Sequence, residues 1–149
     1  MDDTLKREDF VWFMQIPTRW IDNDMYGHMN NARYYSIYEN LIMTFLGPVN
    51  GLNTGTGSIR CFTAENGCRY YDALKYPDVI DAGLRVARIG NSSVRYEMGL
   101  FVEGKENIAS SAFVIDVFVD AESERPTRVP DDFRQVLEGV MRLEPESGS

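Results

Sequence analysis

With 149 residues, 44% of them apolar and 26% charged, the chain suits one domain with a single core that needs neither disulfides nor a structural metal. A net charge of −8 excludes the basic stripe that nucleic-acid binding requires, although a few arginines can still hold a phosphate locally. No run approaches the ~20 apolar residues of a membrane span, and the opening MDDTLKREDF lacks a signal-peptide core, so a cytoplasmic protein with no nucleic-acid or membrane partner is expected.

The first strand is expected from Phe10 to Ile16, where Trp12, Met14 and Ile16 alternate with Val11, Phe13 and Gln15; Pro17 suggests an edge or a bend. A polar knot follows from Asp22. At Asn31 the period changes: Tyr34, Ile37, Tyr38, Leu41, Ile42 and Phe45 fall at helical spacing, Asn30 or Asn31 is a natural N-cap, and Gly47-Pro48 stops the helix. The stretch from Val49 to Gly57 contains GLNTGTG. It has no Gly-Lys-Ser/Thr and no feeding strand, so it reads as a mobile connection and not as a phosphate loop.

Strands are then expected over Ser58 to Ala64, Gly67 to Leu74, Val79 to Ile89, Ser93 to Val102 and Asn107 to Asp120, with turns at Gly90-Asn91 and Gly104. A second helix is expected from Asp131 to Arg142. The pattern predicts a single domain over 1–142, a disordered tail over 143–149, and an α+β architecture in which a sheet wraps one buried helix.

The chemistry concentrates in the knot. A carboxylate at Asp24, just before a helix N-terminus, places a base or nucleophile beside backbone N–H groups that lack intrahelical partners. His28 is the chain's only histidine, and Cys61 and Cys68 read as packing residues, so no metal site is expected.

Here the sequence resembles the hotdog-fold acyl-CoA thioesterases, specifically the 4-hydroxybenzoyl-CoA thioesterase family. Their signature, Asp-x-Asp-x-x-Gly-His-x-Asn-Asn, stands as Asp22, Asp24, Gly27, His28, Asn30 and Asn31. Weaker matches run along the chain at Tyr70, Pro77-Asp78, Arg88-Ile89-Gly90, Ser92-Ser93, Arg125-Pro126 and Val129-Pro130, so the likeness spans about Phe10 to Leu137.

The resemblance implies a hotdog fold, an antiparallel curved sheet around one long central helix, assembled as a homodimer or homotetramer. It implies hydrolysis of a small or medium acyl-CoA, with the CoA thioester as substrate and no separate cofactor. Asp24 carries over as the catalytic carboxylate, acting directly or through water. The oxyanion donor falls at or next to Asn31, and His28 is a further catalytic candidate, orienting Asp24, a water or the substrate carbonyl. Tyr26 and Gly27 in the knot, and Arg88, Asn91 and Ser92 at a distant turn that a neighbouring subunit could contribute, are the expected substrate-binding residues. Asp22 and Asn30 read as scaffolding. A sister group carries its acid on the helix, which makes Glu39 a competing carboxylate. An acyl-carrier-protein thioesterase, a non-catalytic acyl-CoA-binding or regulatory protein and a hotdog dehydratase are the rival readings.

Overall fold

Alternating apolar residues place five strands on one face of a single helix, as the period of each segment requires. The computed structural model describes residues 5–142; the tail expected at 143–149 lies outside them. The elements are β1 (Trp12–Pro17), α1 (Asn31–Leu46), β2 (Ile59–Tyr70), β3 (Val79–Ile89), β4 (Ser93–Val102), β5 (Ile108–Asp120) and α2 (Asp131–Glu138). The sheet is antiparallel throughout, in the order β1-β3-β4-β5-β2. This is the α+β arrangement expected from the sequence.

The helix buries Tyr34, Ile37, Tyr38, Leu41, Ile42 and Leu46 against Ala82, Leu84, Val94, Met98, Leu100 and Val114 of the sheet. Each of the fully buried large side chains contributes about 1.5–3 kcal/mol relative to exposure. Phe45 stacks at the rim on Trp12, with ring centroids 5.4 Å apart.

Three expectations are corrected. The two strands read on either side of Glu65 are one strand, β2, in which a bulge between Thr63 and Glu65 absorbs the break in alternation. The segment expected to be a mobile connection is a 3-10 turn over Val49–Thr54, held by Asn53 N–H donating to the Gly47 carbonyl at 2.9 Å and by Val49 and Leu52 packing on the core. The second helix ends at Glu138; the chain beyond Gly139 turns so that Val140 and Met141 join the β3 backbone at Val86.

The face of the sheet away from α1 carries a charge network. Arg85 donates to Glu97 Oε1 from Nε at 3.0 Å and from Nη2 at 2.7 Å, while Arg95 binds Glu97 Oε2 at 3.1 Å. Phe10 covers this face because Gly99 lies beneath it: a Cβ there would come within 2.7 Å of the Phe10 ring.

Candidate active site

The knot is shaped by its own short side chains. Asp22 is buried and accepts from Arg19 N–H at 2.8 Å and from the Arg19 guanidinium at 2.7 Å, with Arg33 Nε 3.0 Å away. Burial pushes this carboxyl up, but the Arg19 bonds and the Arg33 and Arg19 charges outweigh it and hold the group below the usual aspartate range. The Asp22 backbone also accepts from Asn30 N–H at 2.8 Å, which ties the start of the knot to the start of α1.

Because the folded carboxyl lies below its unfolded value, the stability it contributes is present above pH ~4 and is lost as pH falls through the lowered value. Acid melting curves should therefore steepen below pH ~4 in the wild type, and Asp22→Asn should flatten that limb.

Asp24 sits on a tight turn. Its Oδ1 accepts from Tyr26 N–H at 2.8 Å and its N–H donates to the His28 carbonyl at 2.8 Å, while Gly27 N–H donates to the Asp24 carbonyl at 3.0 Å. Gly27 adopts φ +79°, a left-handed conformation that a side chain resists. The knot docks on the 71–78 loop through Met29 N–H to the Leu74 carbonyl at 2.7 Å and Tyr76 N–H to Asn23 Oδ1 at 3.1 Å.

The start of α1 then divides its amides. Asn30 is the N-cap: its Oδ1 accepts from Ala32 N–H at 2.9 Å and its carbonyl from Arg33 N–H at 2.9 Å. Of the first three helical amides, this leaves Asn31 N–H with no acceptor among the described residues.

Asp24, Tyr26, His28 and Asn31 line one cavity of about 390 Å³, together with Tyr34, Tyr70, Tyr71 and Asp72. The Tyr34 and Tyr70 rings meet edge to face at 4.8 Å and form its wall. Burial, then the neighbouring Cys68, pushes the Tyr70 phenol up, so it remains protonated at neutral pH. Besides accepting from Asp24 N–H through its carbonyl, His28 donates its backbone N–H to Asp24 Oδ1 at 3.5 Å, and the His28 imidazole makes no hydrogen bond among the described residues.

One carboxylate of this cavity was not read from sequence. Asp72 brings a second carboxylate into it, from a loop 48 positions beyond Asp24 with no motif to flag it. Conversely, Arg88, Asn91 and Ser92 stand at the β3–β4 turn, whereas the knot abuts the start of β3. Ten strand steps separate the two ends, roughly 33 Å. Within one chain, that turn does not reach the cavity. Among the described residues, no three His, Cys, Asp or Glu side chains are grouped to hold a metal.

The family model of the thioesterase-like superfamily matches residues 17–137, a span running from the end of β1 through α2. The chain belongs to the thioesterase-like superfamily. Among solved structures of similar fold, PA5185 of Pseudomonas aeruginosa strain PAO1 is 38% identical, over 91% of this chain and 95% of that one, with a TM-score of 0.87. A thioesterase from Thermus thermophilus, solved with coenzyme A and Zn, is 23% identical over 86% and 98%, with a TM-score of 0.74. SAV2348 of Staphylococcus aureus, solved with coenzyme A, is 15% identical over 91% and 89%, with a TM-score of 0.77. With these, the sheet and central helix are those of the superfamily's hotdog fold, as the knot's signature implied.

Proposed function

We propose that the protein hydrolyses acyl-CoA thioesters, with Asp24 as the reacting carboxylate and Asn31 N–H as the oxyanion donor. The observation that carries this reading is the capping pattern: Asn30 engages the Ala32 and Arg33 amides and leaves Asn31 N–H without an acceptor among the described residues, at a residue that lines the cavity with Asp24. As a thioester carbonyl goes tetrahedral its oxygen gains charge, and an unengaged N–H at a positive helix terminus stabilises that charge.

The Asp24 carboxylate either attacks the carbonyl carbon or takes a proton from an attacking water; in both routes the C–S bond breaks and CoA leaves as the thiolate. Direct attack forms a mixed anhydride that water then opens. The Tyr26 amide holds one oxygen of the carboxylate and leaves the other for this work. In this reading His28, which lines the same cavity, orients a water or the thioester, and Asp72 is a second proton acceptor there.

Coenzyme A in the Thermus and Staphylococcus neighbours supports CoA as the carrier. A homodimer is part of the proposal. β2 is a 12-residue edge strand with one side outside the sheet, a surface that natural sheets cover or pair. A second copy is the means by which an Arg88–Ser92 turn could meet a neighbour's knot and hold the CoA phosphates.

Thiol release from a chain-length series of acyl-CoAs, with acyl-carrier-protein thioesters alongside, tests the reading, and light scattering tests the assembly. Turnover of CoA thioesters by a dimer is expected. Tight acyl-CoA binding without thiol release would establish a binding protein instead, and a monomer would sink the shared site.

A further inference from the structure

The cavity that holds the proposed reacting groups is acidic and carries no cation of its own. Asp24 and Asp72 both line it, while the described residues around it include no lysine or arginine. Neither carboxylate has an ion pair among the described residues, although the same fold supplies arginines to its other inward acids. Asp22 has Arg19 and Arg33, Asp81 has Arg7, and Glu97 has Arg85 and Arg95. The arginine in the first turn of α1, Arg33, lies on the Asp22 side, in a separate pocket with Arg19 and Ser36.

Each of the two acids also keeps an oxygen open. Asp24 Oδ1 accepts from the Tyr26 and His28 amides at 2.8 and 3.5 Å, and Asp72 Oδ1 accepts from Ala73 N–H at 3.0 Å; the Oδ2 of neither has a partner among the described residues. These amide bonds shape the turns and leave both negative charges without a counter-ion.

The remaining wall is aromatic. Tyr34 of α1 and Tyr70 at the end of β2 both line the cavity, with ring centroids 4.8 Å apart and planes at 89°, so the two rings form a corner. Leu74 N–H donates to the Tyr34 hydroxyl at 3.4 Å, which ties that ring to the 71–78 loop carrying Asp72. Tyr26, 79% exposed, brings a third ring to the cavity mouth. Ring faces carry negative potential, so the tyrosines and the carboxylates act with the same sign.

We propose that the acyl group this site accepts carries a quaternary ammonium, seated in the Tyr34–Tyr70 corner with Asp72 as its counter-ion. The inference rests on the acyl-CoA reading above and names its substrate class. A quaternary ammonium suits the set because ring faces attract it, and because it offsets a carboxylate without needing an aligned hydrogen bond. A neutral chain leaves Asp72 uncompensated, and a carboxylate end adds a third negative charge. A metal ion fits less well, since among the described residues no three His, Cys, Asp or Glu side chains are grouped to hold one. A cavity of about 390 Å³ is about 9 Å across if round, so a cation a few methylenes from the thioester carbonyl stays within it. Asp24 is then left to the carbonyl and Asp72 to the cation.

The test compares three CoA thioesters whose acyl ends lie the same three methylenes from the carbonyl: a trimethylammonium, the isosteric tert-butyl group and a carboxylate. Size and reach are matched in the first two, and the spacer keeps the charge from activating the carbonyl. An ordinary apolar pocket favours the tert-butyl end, so the proposal predicts the opposite order. In the wild type the trimethylammonium substrate should exceed the tert-butyl one in kcat/KM by about 10- to 100-fold, and the carboxylate should be the poorest.

Asp72→Asn, which keeps an Oδ1 acceptor for Ala73 N–H, and Tyr70→Leu, which keeps bulk without a ring face, should each lower the cation-to-neutral ratio by about 3- to 10-fold, with thermal melting confirming the fold. If Tyr70→Leu does not fold, Asp72→Asn decides the comparison alone. A wild-type ratio at or below one overturns the proposal, as does a ratio unchanged in every folded variant. If the wild type hydrolyses none of the three, the acyl-CoA hydrolase reading fails. Calorimetry with the same thioesters then decides the cavity: tighter binding of the trimethylammonium form sustains the cation site, and equal or weaker binding overturns it.

Discussion

Asp24→Asn is expected to lower kcat/KM for acyl-CoA hydrolysis by about 10²- to 10⁴-fold, a barrier increase of about 3–5 kcal/mol. The substitution suits the question because asparagine keeps an Oδ1 acceptor for Tyr26 N–H, the 2.8 Å bond that shapes the turn. The knot therefore persists, the melting temperature should move little, and the loss should fall on the chemistry. Asparagine is neither a competent base at neutral pH nor a carboxylate nucleophile. A parallel Glu39→Gln assay separates the two candidate carboxylates: if it abolished turnover while Asp24→Asn stayed near wild type, the reacting group would move from the knot to the helix. Rapid-quench trapping of an acyl group on Asp24 would distinguish direct attack from water activation.

Glu97→Ala is expected to be the most destabilising single change, at about 3–5 kcal/mol, or roughly a 10 °C fall in melting temperature. Arg85 and Glu97 are 2% and 1% exposed. The alanine variant removes the carboxylate that receives two Arg85 N–H groups and one from Arg95. The surface pair Arg128–Asp131, 59% and 90% exposed, is the control: Arg128→Ala should shift stability by no more than about 1 kcal/mol. If the loss arises from stranded charge and not from fold topology, Arg85→Met combined with Glu97→Leu should recover much of it, since a well-packed apolar pair escapes desolvation. Thermal melting of the single and double variants decides this, and comparable losses in both would refute it.

The elements were legible where side-chain period alone sets them. β3 and β4 run over the residues read from alternation, and α1 starts after its Asn cap and stops at Gly47. Reading failed where a tertiary partner changes the local pattern. The β2 bulge looked like a break because an unpaired residue shifts alternation as a turn does. GLNTGTG looked mobile because its glycines and polar residues conceal Val49 and Leu52, whose packing orders the turn only against the finished core.

The site divides in the same way. Asp24, His28 and Asn31 lie within eight positions, so a turn and a helix start necessarily bring them together. Tyr70 and Asp72 come from β2 and the 71–78 loop, and nothing local ties them to the knot.

By itself, the sequence determined the period of α1, β3 and β4, an Asn cap at the start of α1, and the crowding of Asp24 and His28 beside it. These depend on neighbours a few residues apart, and backbone geometry settles them. Only the tertiary structure decided that β2 crosses the sheet to pair with β5, that Arg85 and Glu97 are a buried pair and not two solvated charges, and that the buried Tyr96 hydroxyl has no hydrogen-bond partner among the described residues. Those facts depend on which strands meet and what water is excluded between them, and no local pattern records either.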